Sequence, residues 1–167
     1  MTQEPQADFR EAPLGFFDGK VDEKGRGKLP MEVRRYAVGP HVPGEPDPAL
    51  FVTSLDGRTI KLYPISKWRE IEKKLEEERE KAKAAKQTLL LAKTYGGAAT
   101  VDSSNRFLIP TLLRRKLELS GDGASVFYDC SQGFVTVYSQ KLLDQDIHQA
   151  EQNAEANMDA LASLGIR

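Results

Sequence analysis

The chain has 167 residues, of which 40% are hydrophobic and 29% are charged, and its formal net charge at pH 7 is −1. This composition is typical of a globular protein, and no apolar run approaches the roughly 20 residues of a membrane span. A single cysteine, Cys130, excludes an intrachain disulfide and a cysteine-rich metal site. The polar, acidic N-terminus lacks the basic start and apolar centre of a signal peptide, so we expect a cytoplasmic protein.

The first half of the chain predicts an arm followed by a small α+β unit. Residues 1–13 hold Pro, Gln and acidic residues without periodicity, which is typical of a disordered arm. The unit over residues 14–64 consists of a strand, a tight turn at Gly25, a return strand, a helix opened by Pro30, a proline-rich loop and a hairpin that turns at Asp56-Gly57. Glycine takes a positive φ at no steric cost, and Asp-Gly is a strong hairpin signal.

The connecting segment, residues 65–95, predicts an exposed helical region. Its apolar residues follow helical spacing from Ile65 and Trp68 onward, and Ser66 is a candidate N-cap. The pattern leaves open whether this segment forms one helix or two, because the apolar run 88–92 indicates either a break or a buried end.

The second unit, residues 96–139, repeats the order of the first and ends in a shorter loop and a second hairpin. Asn105 occupies the position of Gly25, and asparagine is the next best residue for a left-handed backbone. Residues 140–167 predict a helical tail, with one helix over 140–164 whose apolar stripe favours core packing or a subunit contact.

The two units share a segment of 15 residues at an offset of 80. The stretches VDEKGRGKLPMEVRR (21–35) and VDSSNRFLIPTLLRR (101–115) agree at seven of fifteen positions when the pair Leu29 and Ile109 is counted. An internal repeat of this kind decides the architecture. Each unit has only about 45 residues, near the lower limit for a self-sufficient core, so we expect the two units to bury their apolar faces against each other.

Positive charge is concentrated in these repeated segments. Residues 20–35 and residues 101–116 each carry a local charge of +3, whereas residues 141–167 carry −3. The overall charge gives no nucleic-acid signal, but two basic turns could bind an acidic partner. The acidic tail could also compete with DNA for those turns.

The doubled motif Asp-x-x-x-Arg, present as DEKGR and DSSNR, resembles the MraZ family. In both units the motif is followed by Leu/Ile-Pro, a short basic helix and a hairpin that ends at Tyr63 or Tyr138. The resemblance covers roughly residues 15–145. It implies an α+β fold in which two tandem AbrB-like swapped-hairpin units form one pseudo-twofold, double-ψ-like β-barrel, with a connecting helix and a C-terminal helix.

The resemblance also implies a function. MraZ proteins are DNA-binding transcriptional regulators that act on repeated operator sites near cell-wall and cell-division genes and assemble into rings. We therefore expect a nucleoid-associated homo-oligomer whose partner is double-stranded DNA. We expect no cofactor, no metal, no membrane and no small-molecule substrate.

The candidate site consists of the cations around the two turns. Lys24 and Arg26 match the basic residues of the first motif, and Arg106 matches the arginine of the second. Arginine binds guanine through two hydrogen bonds, whereas Lys20 and Lys28 suit phosphates. The DNA-binding candidates are Lys20, Lys24, Arg26, Lys28 and Arg106, and the turn residues are Asp22, Gly25, Asp102 and Asn105.

Other interpretations stay open at this point. Asp22 could pair with Arg26 and merely stabilise its turn, and Asp102 with Arg106 likewise. The second motif has lost the lysine, so it either contacts DNA less or serves only the fold. The arginine pairs on the two short helices, 34–35 and 114–115, could form structural ion pairs.

Rival functions differ in class. An oligomeric protein-interaction scaffold that has lost DNA binding is the main alternative. An enzyme is not expected, because His41 and His148 have no nucleophile or metal-ligand partner at a suitable spacing. An antitoxin-like AbrB relative would usually carry one unit, and the tandem arrangement argues against it.

Overall fold

The computed structural model describes residues 11–121 and 123–167. In that part of the chain eight strands form one antiparallel sheet, a nearly closed barrel, in the order β5-β3-β4-β8-β7-β1-β2-β6. The strands are β1 (Phe16–Val21), β2 (Arg26–Lys28), β3 (Ala49–Thr53), β4 (Ile60–Pro64), β5 (Gly97–Thr100), β6 (Arg106–Leu108), β7 (Ala124–Ser131) and β8 (Phe134–Ser139). The helices are α1 (Met31–Val38), α2 (Ile65–Glu78), α3 (Lys83–Tyr95), α4 (Thr111–Lys116), α5 (Gln140–Gln152) and α6 (Ala154–Ala162). Residues 1–10 of the predicted arm lie outside the described residues.

The two repeats are interleaved rather than side by side. Strand β1 of the first repeat pairs with β7 of the second, and β5 of the second pairs with β3 of the first. Two further pairs, β2 with β6 and β4 with β8, join corresponding strands of the two repeats. Gly27 faces Phe107 at the centre of the first of these pairs, and these two residues are themselves 80 positions apart. The register is therefore unchanged when the two repeats are exchanged.

The core lies between the repeats, and both repeats supply the same positions to it. Val21, Leu29 and Val33 are at most 1% exposed. Their counterparts 80 residues later, Val101, Ile109 and Leu113, are equally buried. Burying a side chain of this size stabilises a fold by roughly 1.5–3 kcal/mol. The equivalence explains why two short units suffice, because each completes the apolar interior of the other.

The connecting segment forms two helices, α2 and α3, which settles the choice between one helix and two that the sequence left open. The break falls at residues 79–82, before the leucine run. Trp68 of α2 stacks on Phe51 with ring centroids 4.6 Å apart, and Leu89 of α3 is buried. The other buried residues of these two helices are Ala85 and Ala92 of α3. Ser66 is not the N-cap, because Pro64 precedes the helix and provides no side-chain cap.

The C-terminal tail also breaks, so the prediction of one helix over 140–164 was wrong. Ser139 caps α5 by accepting a hydrogen bond of 3.2 Å from the N–H of Leu142, and Leu142 and Leu143 are buried. The helix ends at Asn153, a residue whose side chain competes with helical hydrogen bonds. No residue of α6 is buried. Packing on the barrel therefore holds the first half of the tail and not the second.

Among the described residues, none of the helices combines the length and the apolar character that spanning a membrane requires.

Candidate nucleic-acid interface

The turn between β1 and β2 is built around one carboxylate. Oδ1 of Asp22 accepts hydrogen bonds from the N–H groups of Lys24 (3.0 Å) and Arg26 (2.9 Å). Its other oxygen, Oδ2, lies 3.0 Å from Nε of Arg26. The backbone closes the same turn, since the Asp22 N–H donates to the Arg26 carbonyl at 2.9 Å. Asp22 therefore fixes both the turn and the base of the Arg26 side chain.

The second turn repeats this geometry. Oδ1 of Asp102 accepts hydrogen bonds of 2.9 Å from the N–H groups of Ser104 and Arg106, and Oδ2 lies 3.2 Å from Nε of Arg106. Both Asp–Arg pairs thus form, as the structural interpretation of the motif predicted. Nε is the only Arg26 side-chain atom with a hydrogen-bond partner among residues 11–121 and 123–167. A guanidinium group has five donor hydrogens, so most of this one stays available.

These hydrogen bonds shift the ionisation of both aspartates. The pKa of Asp22 lies below its ordinary value, chiefly because its carboxylate accepts the Arg26 N–H, with further lowering by the Arg26 side chain. Burial raises the pKa of Asp102, and hydrogen bonds from the N–H groups of Arg106 and Ser104 lower it by more. Both carboxylates are therefore charged at neutral pH and hold their arginines firmly.

Gly25 and Asn105 adopt the left-handed backbone that their shared position predicted. Their φ angles are 83° and 63°. The turns are also tied to each other across the repeats. The Leu29 N–H donates to the Asn105 carbonyl at 2.8 Å, and the Ile109 N–H donates to the Gly25 carbonyl at 3.0 Å. Each turn thus anchors the strand that leaves the other.

Strands β2 and β6 form a two-stranded ribbon whose outward face is cationic. Lys28 lies directly opposite Arg106 in the register, and Arg26 lies opposite Leu108. These four side chains face outward, whereas the intervening residues of the ribbon are buried. The side chains of Arg26 and Arg106 are 29% and 38% exposed. Residues that are about 80 positions apart in the chain therefore share one surface.

A cleft of about 500 Å³ runs beside this ribbon and gathers most of the predicted cations. Its charged lining residues are Lys20, Arg26, Lys28, Arg106, Asp18 and Asp22. The cations outnumber the acids by four to two. Nζ of Lys20 lies 3.4 Å from the Gly123 carbonyl oxygen. Lys24 does not line the cleft; it is exposed in the first turn.

Some residues of this surface were missed in the sequence. Asp18 lines the cleft, and the alternation of strand β1 places it on the same face as Lys20. Leu108 is 52% exposed at the edge of the ribbon, a position that follows from the same alternation. The alternation of side chains along a strand could have predicted both Asp18 and Leu108 on this surface. No local signal could have shown that Lys28 and Arg106 lie opposite each other.

One arginine of each short helix, Arg34 and Arg114, serves the fold rather than the cleft. Arg34 is 1% exposed and donates from Nη1 to the Gly39 carbonyl. Arg114 donates from Nε to the Ile109 carbonyl at 3.0 Å and from Nη2 to Thr111. Their partners are backbone carbonyls and a hydroxyl, whereas the expected interaction was an ion pair.

The remaining reactive groups are scattered. Cys130 is buried, and burial, with a smaller contribution from Asp129, raises the pKa of its thiol to about 11. His148 lies 3.2 Å from the Gln152 amide on the exposed side of α5. Among the described residues there is no cluster of three or more His, Cys, Asp or Glu that could hold a metal ion.

The fold and the site define a tandem-repeat α+β protein with a cationic strand ribbon shared by both repeats. The chain is 30% identical over 147 residues to the transcriptional regulator MraZ of Acidobacterium capsulatum, covering 88% of this chain and 94% of that protein. It is 28% identical over 147 residues to that of Koribacter versatilis, covering 88% and 95%. It is 27% identical over 164 residues to that of Geobacter sp. strain M21, covering 91% and 98%. No family model matches the chain.

The chain belongs to the MraZ family. The resemblance read from the doubled motif is thereby confirmed.

Proposed function

We propose that this protein is a DNA-binding transcriptional regulator of the MraZ type. The observation that carries the proposal is the β2–β6 ribbon, where cations from both repeats meet on one outward face beside a cleft. The names of the relatives support the same function. The proposed DNA-binding residues are those expected from the sequence: Lys20, Lys24, Arg26, Lys28 and Arg106.

The antiparallel pairing of β2 with β6 supports a proposed contact with DNA. A two-stranded antiparallel ribbon fits the major groove of B-DNA, where arginine can donate two hydrogen bonds to O6 and N7 of guanine. Arg26 and Arg106 present their guanidinium groups on this ribbon, and we assign base contacts to them. Lys20 and Lys28 flank the arginines and are assigned to phosphates, which position a protein without reading sequence.

The aspartates have a supporting part in this mechanism. Asp22 holds Nε of Arg26 and also fixes the backbone of the turn. Asp102 does the same for Arg106. A guanidinium group that is held in place loses less conformational entropy when it meets a base, so the pairing favours tight and selective contacts.

We further propose that the repeats are tandem AbrB-like swapped-hairpin units, residues 14–64 and 96–139, in a pseudo-twofold, double-ψ-like barrel. The helical segments 65–95 and 140–167 are then additions to that barrel. Support comes from the exchange of strands, because β1 pairs with β7 and β5 pairs with β3. The self-complementary register of β2 with β6 supports the pseudo-twofold relation.

Binding by one copy should be weak. Six charged side chains line the cleft and leave a net charge of only +2, and each phosphate contact adds little at physiological salt. Linking several copies in a homo-oligomeric ring raises the effective concentration for repeated operator sites. We therefore include assembly into an oligomer that binds repeated sites near cell-wall and cell-division genes. The proposed protein is cytoplasmic and nucleoid-associated. It has neither a cofactor nor an enzymatic activity.

The test is a titration of the full chain into DNA from its own upstream region and into shuffled DNA of the same composition, each at two salt concentrations. We expect preference for the upstream DNA, and weaker binding at the higher salt concentration. Equal affinity for both DNAs at both salt concentrations would overturn sequence recognition.

A protein-interaction scaffold is the second candidate, and one observation favours it. Both motif arginines already form ion pairs with their aspartates, at 3.0 Å and 3.2 Å. Such pairs could serve the turns alone. If the scaffold is correct, the same titration gives no binding to either DNA even at low salt, while the protein still associates with itself.

A further inference from the structure

A second cationic surface lies far from the cleft in sequence, on the α2–α3 helical hairpin. It is a groove of about 370 Å³, which we call the hairpin groove, and it is lined by Leu89, Leu90 and the cations Arg79, Lys83, Lys86 and Lys93. Leu90 is 65% exposed. None of the described lining residues is acidic. The hairpin groove therefore combines an exposed leucine, Leu90, with a positive rim. Within that rim Arg79 and Lys93 also form ion pairs with Glu76, at 3.5 Å and 3.4 Å.

Helix α6 and the residues after it have the complementary character. None of the α6 residues is buried, and Met158 and Leu164 are 58% and 73% exposed. Residues 142–166 contain five acidic residues and neither lysine nor arginine. Met158 and Leu161 lie three positions apart on one helical face, and Glu155 and Asp159 lie four apart beside it. Helix α6 thus carries two carboxylates beside an apolar pair, and these side chains are uncovered in a single copy.

We propose that the hairpin groove of one copy binds helix α6 of a second copy. Leucine and methionine side chains of the helix would cover Leu90, while Glu155 and Asp159 would face Lys83 and Lys86. This inference rests on the proposed homo-oligomer and names the surface that joins its copies. Because groove and helix are different patches, the contact is head-to-tail and can close into a ring.

Two observations favour a second copy over other occupants. The exposed Leu90 suits an apolar helix face and does not suit a phosphate backbone, which argues against DNA. Helix α6 has no buried residue within its own chain, so a single copy leaves both surfaces open. One contact between two copies then covers a hairpin groove and an α6 helix.

Cross-linking tests the geometry. One version of the chain carries Leu90→Cys and a purification tag, and another carries Leu161→Cys and a tag of different size. The natural Cys130 is buried and stays in both. After mild oxidation of the mixture we expect a disulfide that joins the two versions. The matched control replaces Leu90→Cys with Lys74→Cys, an exposed α2 position outside the hairpin groove.

Charge reversal tests the energetics. Lys83→Glu with Lys86→Glu should weaken self-association roughly ten-fold, as two reversed ion pairs imply. Adding Glu155→Lys with Asp159→Lys should restore it. The control pair Lys73→Glu and Lys74→Glu makes the same change in net charge on exposed residues outside the hairpin groove. Light scattering over a concentration series gives the mass of each assembly, with circular dichroism as the check of folding.

The outcomes separate this inference from the proposed function. A disulfide between differently tagged copies, together with restored association in the double reversal, supports the contact. Cross-linking that is no faster than in the Lys74→Cys control overturns the contact. So does a chain carrying both Leu90→Cys and Leu161→Cys that forms its disulfide only within one copy. If neither charge reversal changes the mass of the oligomer, the contact is overturned but the assembly stands. If the wild-type chain is a monomer, the proposed assembly is overturned as well.

Discussion

The guanidinium group of Arg114, in the second repeat, lies directly over Gly25, in the turn of the first repeat. A Cβ atom at Gly25 would overlap this group. At the corresponding positions, Arg34 donates to the Gly39 carbonyl and Asn105 carries a side chain. The difference between Gly25 and Asn105 thus has a physical reason. The first turn has no room for a side chain at this position, whereas the second turn holds one.

Exchanging the turn residues should therefore have unequal effects. Gly25→Asn keeps a residue that tolerates a positive φ but displaces Arg114 from its hydrogen bonds, and should cost about 2 kcal/mol of unfolding free energy. Asn105→Gly should cost about 1 kcal/mol or less, through the unfolded state. Urea denaturation measures both. Arg114→Ala in the Gly25→Asn background should cost less than the sum of the single changes, and strict additivity would show that the two residues do not interact.

Arg34 should matter for stability far more than Arg115, an exposed arginine of the second short helix. It is buried and supplies a donor to the Gly39 carbonyl, so Arg34→Ala should cost about 3 kcal/mol by leaving a cavity and an unpaired carbonyl. Arg115→Ala, at an exposed position of α4, should change stability by less than about 0.5 kcal/mol. Thermal unfolding compares the two variants, and equal losses would contradict the burial of Arg34.

Acid should lower the stability of the protein through its turn carboxylates. The pKa values of Asp22 and Asp102 are lowered, and that of Asp56 is lowered because hydrogen bonds from Thr59 and Arg58 outweigh the effect of its burial. A lowered folded-state pKa gives stability that is fully present above the unfolded value near 4 and is lost as the pH falls through the folded value. We expect a constant denaturation midpoint from pH 7 to pH 5 and a decline below about pH 4.

A substitution tests whether the Asp56 carboxylate contributes to the loss of stability in acid. Asp56→Asn keeps an oxygen that can accept the hydrogen bonds from Arg58 and Thr59 but cannot ionise. Its stability should fall less steeply below pH 4 than that of the wild-type chain. A decline that begins between pH 7 and pH 5, or identical acid profiles for the two proteins, would assign the dependence to other groups.

Removing the tail separates two roles for it. Deleting residues 154–167 removes no buried residue, so the barrel should stay folded. If α6 joins neighbouring copies, the deletion gives smaller assemblies and weaker binding to DNA with several sites. If the acidic tail instead competes with DNA for the basic turns, binding becomes tighter. Light scattering and DNA titration on the same sample distinguish these results.

Local sequence patterns predicted the turns, the strands and the repeat, because each depends on neighbouring residues. Asn105 in place of Gly25 indicated the positive φ at both positions. The pairing of Lys28 with Arg106 and the burial of Arg34 could not be predicted, since both depend on how distant segments meet. The break at Asn153 was missed, and the break at residues 79–82 was left open, for a related reason. Tertiary packing, rather than helix propensity, decides how far each helix extends.

The lysines and arginines of the cleft should make different contacts with DNA, the lysines with phosphates and the arginines with bases. Lys28→Ala removes an assigned phosphate contact, so binding should weaken about equally for upstream and shuffled DNA. The slope of log affinity against log salt should fall by about one in magnitude. Lys74→Ala, which removes the same charge from the exposed face of α2, is the control and should leave the slope unchanged. A loss confined to upstream DNA would assign Lys28 to a base instead.

The central claim is that the Arg26 guanidinium reads DNA bases. The most direct measurement is the ratio of affinities for upstream and shuffled DNA, compared between the wild-type chain and Arg26→Ala at one salt concentration. Loss of one bidentate base contact should lower that ratio roughly ten-fold or more, with the oligomeric mass unchanged. An unchanged ratio in a folded, fully assembled Arg26→Ala protein would contradict the claim and leave Arg26 as a partner of Asp22 alone.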